Sequence, residues 1–234
     1  MSKRASLGFF TSLLSLGAVA LGAYTFLLRP WHLRWGATDE EVNAHLTGDD
    51  LTPRPRMQTT HAITIHAPAE EVWSWLVQIG QGRGGFYSYD WIENLLGLRM
   101  HNVDEIKPEL QELHAADQVS LAPDGKTALP IDIIIPNRAI VLHVEDARLT
   151  PFAVMQPGLY RSLTWSFHLR KIDDHTTRLI ERTRADWDDT WQNRMIVHGY
   201  SEPGAFIMQR GMLLGIKARA ERRAHEKPAA QVAA

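Results

Sequence analysis

The chain opens on an uncharged apolar run and then changes period several times. Leu7 to Leu28 reads LGFFTSLLSLGAVALGAYTFLL. As a helix it would reach roughly 33 Å, enough for a hydrocarbon core of about 30 Å. Residues 1–29 are therefore expected as a single-pass membrane anchor. A cleaved secretory signal is the competing reading, since Ala18-Val19-Ala20 resembles a small-residue site, but the apolar run continues beyond it. Lys3 and Arg4 precede the run, and Arg29 and Arg34 follow it. That balance leans slightly towards a soluble domain on the outer face of the cytoplasmic membrane.

Residues 30–58 read as a linker, with Trp31 and Trp35 placed for a headgroup region and Thr52-Pro53-Arg54-Pro55 extended. The folded domain is expected over 59–226. Thr60 to His66 alternates as a strand, with Ile63 and Ile65 on one face. Pro68 opens a helix over 69–79, whose Val72, Trp75, Leu76 and Ile79 form an apolar stripe. The glycine-rich segment 82–85 turns into a second short helix, about 90–96, where Asp90 and Glu93 fit a capping box.

From about residue 100 the period falls to two. Strands are expected at 101–107, 117–122, 128–135, 138–146, 162–171 and 176–186. Over 163–170 the odd positions are apolar and the even ones polar, predicting one buried and one wet face. Asp173-Asp174-His175 turns this strand into the next. A helix over about 203–226, N-capped by Ser201 and apolar on most sides, closes the domain. Residues 227–234 read as a disordered tail. The order of elements fits the α+β class, and a curved antiparallel sheet gripping a long C-terminal helix is one way to satisfy it.

Composition narrows the chemistry. With a formal net charge of −2 and scattered basic residues, there is no stripe for nucleic acid. The absence of cysteine removes disulfides, thiolate zinc sites and cysteine nucleophiles. The histidines are dispersed without a metal-ligand spacing, so no metal and no cofactor are expected. There is no Gly-x-Ser-x-Gly elbow and no recognisable triad.

The junction Ile63-Thr-Ile-His-Ala-Pro-Ala-Glu-Glu-Val-Trp73 resembles the opening of START-like, polyketide cyclase/dehydrase-type (SRPBCC) proteins. The stretches Gly84–Gly97 and Arg29–Thr38 are similar to a membrane-anchored bacterial subgroup of that superfamily. The resemblance implies a helix-grip fold with an apolar tunnel between sheet and helix. Gly211 and Gly215, stacked on the closing helix, are candidates for opening that tunnel, and Met208 and Met212 for lining it. Trp165 and Phe167 are candidates for its sheet wall. Tyr87, Tyr89 and Trp91 are candidates for its mouth, and Arg83 for touching an anionic end.

If Leu179 faces inward, so does Glu181, a weak candidate for an acid or base in an apolar tunnel. Asp132 reads as a solvent-face residue. The expected function is a carrier for a hydrophobic ligand, lipid-like or polyketide-like. A cyclase or hydrolase using Glu181 and a non-catalytic interaction module are the alternatives.

Overall fold

The computed structural model describes residues 15–17, 19, 22–125, 127–145 and 160–232, with side chains up to 226. A π-helical turn Tyr24–Leu28 runs into α1 (Arg29–His32), followed by α2 (Asp39–Asn43). Then come β1 (Met57–Ile65), α3 (Ala69–Leu76), α4 (Asp90–Leu95) and β2 (Gln118–Ser120). β3 (Ala128–Ile135), β4 (Ala139–Glu145), β5 (Tyr160–Asp173) and β6 (Thr176–Trp187) complete the sheet. α5 (Trp191–Ile196) leads through a second π-turn, Val197–Ser201, into α6 (Glu202–Val232).

The sheet has six antiparallel strands in the order β1-β6-β5-β4-β3-β2, so the first strand pairs with the last. α3 and α6 pack on one face and bury Val72, Trp75, Leu76, Leu213 and Ile216 against Ile65, Phe167 and Leu179. This is the expected helix-grip arrangement. Burial of the alternating apolar positions on one face supplies the driving force.

The opposite face holds the larger departure. The even positions of β5, expected to be wet, are covered by residues 30–58, and so is Arg182 beside them on β6. Thr164, Ser166, His168 and Arg182 are each at most 8% exposed. The segment expected as a linker is a strap. Its α2 is fixed by a capping box between Thr38 and Glu41. Glu41 then takes a bidentate bond from Arg178 at 2.8 and 2.8 Å. Arg182 donates to Asp49 at 2.7 Å and to the carbonyls of Ala44 and Glu41 at 2.8 and 2.6 Å. A polar sheet face can be buried because each guanidinium finds several acceptors.

The anchor expectation is overturned. No helix among the described residues is long and apolar enough to cross a membrane, so single-pass membrane localisation, on either face, is corrected. Residues 7–14, 18, 20 and 21 of that run lie outside the described residues. Its C-terminal end is docked on the domain. The Tyr24 hydroxyl donates to the His198 carbonyl, and Arg29 holds Glu202 at 2.7 and 2.9 Å. Trp31 and Trp35 meet Phe206 edge-on rather than a lipid headgroup.

Three local expectations also change. Residues 101–107 form no strand. Asp90 lies inside α4 rather than capping it, and Ser88 donates to Glu93 at 2.8 Å instead. The closing helical path begins at Trp191 with Thr190 as its cap, not at Ser201. The π-turn carries the helical path across Ser201. Pro203 has no N–H to bond the preceding turn, and the chain widens so that Glu202 N–H reaches the Val197 carbonyl. The last helix continues through Val232, into the segment expected as a tail.

Candidate functional site

Between the inner sheet face, α4 and the start of α6 lies a cavity of about 150 Å³. Met57, Leu129, Leu163 and Trp165 form its sheet wall. Ile92, Leu96 and Phe86 close a second side, and Tyr200, Ala205, Met208 and Met212 a third. Leu96 and Tyr200 are 42% and 46% exposed, so the mouth lies between α4 and the π-turn. Tyr160, also in the wall, is pushed up to about 12 by burial, which keeps its hydroxyl neutral.

The local chain explains how α4 reaches this place. Tyr87 adopts a left-handed conformation, φ 58°, and its N–H donates to Asn102 at 2.7 Å while its hydroxyl donates to the Trp75 carbonyl at 3.2 Å. Its own carbonyl lies so close to α6 that a Cβ on Gly215 would stand 2.0 Å from it. A Cβ on Gly211 would stand 2.8 Å from the Tyr89 ring. The glycines therefore let segment 87–89 seat on α6, which aims Ser88 and Glu93 at the cavity.

Of the residues expected at the site, Trp165, Met208 and Met212 line the cavity. Gly211 and Gly215 do not; their missing side chains are filled by tyrosines, a correction of the tunnel-opening role. Tyr87 is buried as a clamp, Phe167 is fully buried in the core, and Tyr89 packs on Gly211. Trp91 points to solvent at 67% exposure. Arg83 folds back onto the carbonyls of Val77 and Leu110.

Glu181 does face inward, as period two requires, yet it stands behind the wall. One oxygen accepts from Trp165 Nε1, Thr183 Oγ1 and Gln209 Nε2 at 2.8, 2.9 and 2.9 Å. The other is 2.8 Å from His61 Nδ1, whose Nε2 donates to the His32 carbonyl at 2.8 Å. Three donors on one oxygen and the His61 ring on the other engage both oxygens of Glu181 within the protein. Its partners Trp165, Thr183 and Gln209 all line the cavity, so Glu181 braces the wall.

The carboxylate that belongs to the cavity is Glu93. It is 6% exposed; one oxygen takes the Ser88 hydroxyl and Oε2 has no partner. Burial raises its pKa, the Ser88 bond opposes that, and the nearby Asp90 charge adds to the rise. Gln209 supplies the second unsatisfied wall atom, Oε1. Unpaired buried groups also occur on His32, Thr59, Trp75, Arg83 and Trp187, but none of these lines the cavity. Glu93 was hidden in the sequence by its fit to a capping role. The available signal was its place among Ile92, Leu95 and Leu96, which puts a carboxylate on an apolar helix.

No group of metal-ligating side chains occurs among the described residues. A second hollow, about 320 Å³, lies at the strap edge beside His168. Its Arg138, Arg170 and Glu40 are exposed, and Glu41 is already paired.

No family model and no curated protein matches the chain. Among solved structures, a protein from Nitrosospira multiformis is 15% identical, with a TM-score of 0.42 over 69% of this chain and 94% of its own. The Zhui aromatase/cyclase from Streptomyces sp. R1128 is 15% identical, with a TM-score of 0.37 over 71% and 94%. The Aha1 dimer from Colwellia psychrerythraea gives 14% and 0.39 over 70% and 96%. Likeness this distant assigns no activity, and the chemistry of the site rests on this chain's own residues.

Proposed function

We propose that this domain binds a compact hydrophobic molecule in the cavity between sheet and closing helix. The carrying observation is an apolar space bounded by Met57, Met100, Met208 and Met212, with a mouth at α4 and the π-turn. Thioether side chains adapt to an irregular guest. The START-like resemblance agrees with a hydrophobic ligand, and the volume limits its size.

A cavity near 150 Å³ takes roughly one benzene-sized ring. A whole acyl lipid or polyketide would extend through the mouth. Burying about 200 Å² of ring surface is worth roughly 5 kcal/mol before association costs, a Kd no tighter than about 0.1 mM for a bare ring. Carriage, rather than turnover, fits a wall whose inward carboxylate Glu181 is engaged at both oxygens by protein groups.

The test is to purify the full chain without detergent, denature it, and identify released small molecules by gas chromatography–mass spectrometry. A recurrent apolar compound near stoichiometric amount supports the reading. A clean chain that also takes up no toluene at millimolar concentration contradicts it.

A further inference from the structure

The cavity wall is mostly apolar, and two of its polar residues carry an unmade hydrogen bond. Glu93 Oε2 and Gln209 Oε1 are buried, belong to wall residues and accept no hydrogen bond. An unmade bond at a buried oxygen costs about 1–3 kcal/mol, so two in one wall need a reason. Neither oxygen is spare by accident of a poorly packed residue. Glu93 is fixed through its other oxygen by Ser88 at 2.8 Å. Gln209 is fixed through its amide nitrogen by Glu181 and Thr183 at 2.9 and 3.0 Å. Each side chain is thus held in place by one end and leaves an acceptor at the other.

Resting on the hydrophobic-ligand reading above, we propose that Glu93 and Gln209 select a one-ring ligand that carries a hydroxyl group, a phenol-like molecule rather than a hydrocarbon. The hydroxyl donates to one of the two free oxygens. Desolvation pushes Glu93 towards its neutral acid, and in that state its own proton is available to the ligand oxygen. A hydroxyl, which both donates and accepts, is the group that uses this pair. A ligand carboxylate would place a second acid beside Glu93, with no cation in the wall to receive it. Ring size follows from the cavity of about 150 Å³.

Phenol and toluene differ only by hydroxyl for methyl and have nearly one shape. In an all-apolar cavity toluene binds about 10-fold tighter or more, because the hydroxyl must leave water unpaired. The experiment measures both Kd values on the full chain by NMR titration. The proposal expects phenol to bind at least as tightly as toluene, and the preference to revert to toluene by 10-fold or more in Glu93→Leu. Toluene winning by about 10-fold on the unaltered chain overturns hydroxyl selection and leaves the hydrophobic site standing. Binding of neither overturns both. Phenol preferred equally in Glu93→Leu removes Glu93 as the selecting group. The comparison on the unaltered chain decides the matter even if Glu93→Leu does not fold.

Discussion

Glu41 under the strap and Glu93 at the cavity are buried carboxylates with opposite surroundings. On the outer face Glu41 is 3% exposed, yet its pKa is lowered. Burial works to raise it, but bonds from Arg178 and the Thr38 N–H, with the charges of Arg178 and Arg170, outweigh that. On the inner face Glu93 is 6% exposed with a single hydroxyl for a partner, and its pKa is raised. Equal burial therefore says little about role. The outer face satisfies its charges and holds the strap in place. The inner face pairs Glu181 as well, but at the cavity it keeps volume and the unmade bonds of Glu93 and Gln209, which are what a ligand can use.

The strongest way to break this contrast is on the outer face. Arg182→Ala removes the 2.7 Å guanidinium from buried Asp49, leaving only Arg184 at 3.7 Å, and should cost about 3 kcal/mol in chemical denaturation. A loss within 1 kcal/mol would mean that the strap is not held by this network.

His168, beneath the strap, is lowered to about 4, first by burial and then by the Arg182 charge. Its folded pKa lies below its unfolded one, so its contribution is present above about pH 6.5 and is lost as pH falls towards 4. The span is worth about 3 kcal/mol, and His168→Gln should remove that part of the acid-side slope in urea titrations at several pH values.

On the inner face, Ala205→Phe should fill the cavity. Toluene binding should weaken at least 10-fold while stability changes by only about 1–3 kcal/mol. Equal binding in this variant would move the ligand elsewhere.

The smallest effect tests the carboxylates directly. Glu93 has a raised pKa, so its contribution is present below about pH 4.3 and is lost as pH rises through its folded value. Glu93→Gln should therefore stabilise the chain at neutral pH by on the order of 1 kcal/mol. Glu41→Gln should act in reverse: its stabilisation is present above about pH 4.3 and is lost as pH falls. Stability curves of the two variants that ran in the same direction would erase the distinction between the faces.

Much of the fold is legible in period alone. The alternation over β5 and β6, the turn at Asp173–His175 and the apolar closing helix all follow from residue spacing. Even the inward side of Glu181 follows from Leu179. What spacing cannot show is which partner covers a face. The polar row of Thr164 and Ser166 reads as wet because the strap that buries it lies more than a hundred residues earlier. For the same reason the apolar run before Arg29 read as an anchor. Its end is instead tied by Tyr24 and Arg29 to His198 and Glu202.

The site was legible in part. Methionines on a buried helix marked Met208 and Met212, and alternation marked Trp165. Gly211 and Gly215 misled, because a missing side chain admits backbone as readily as ligand. Glu93 escaped because one residue at a helix start satisfies two patterns, a cap and a buried acid.

The most direct measurement is a methyl NMR titration of the full chain, labelled at methionine, with toluene. Met57, Met100, Met208 and Met212 line the cavity, whereas Met195 is 66% exposed and stands outside its wall. The inner-face account predicts saturable shifts at the four wall methyls with Met195 unmoved. Shifts at Met195 alone, or none at the wall, would contradict it.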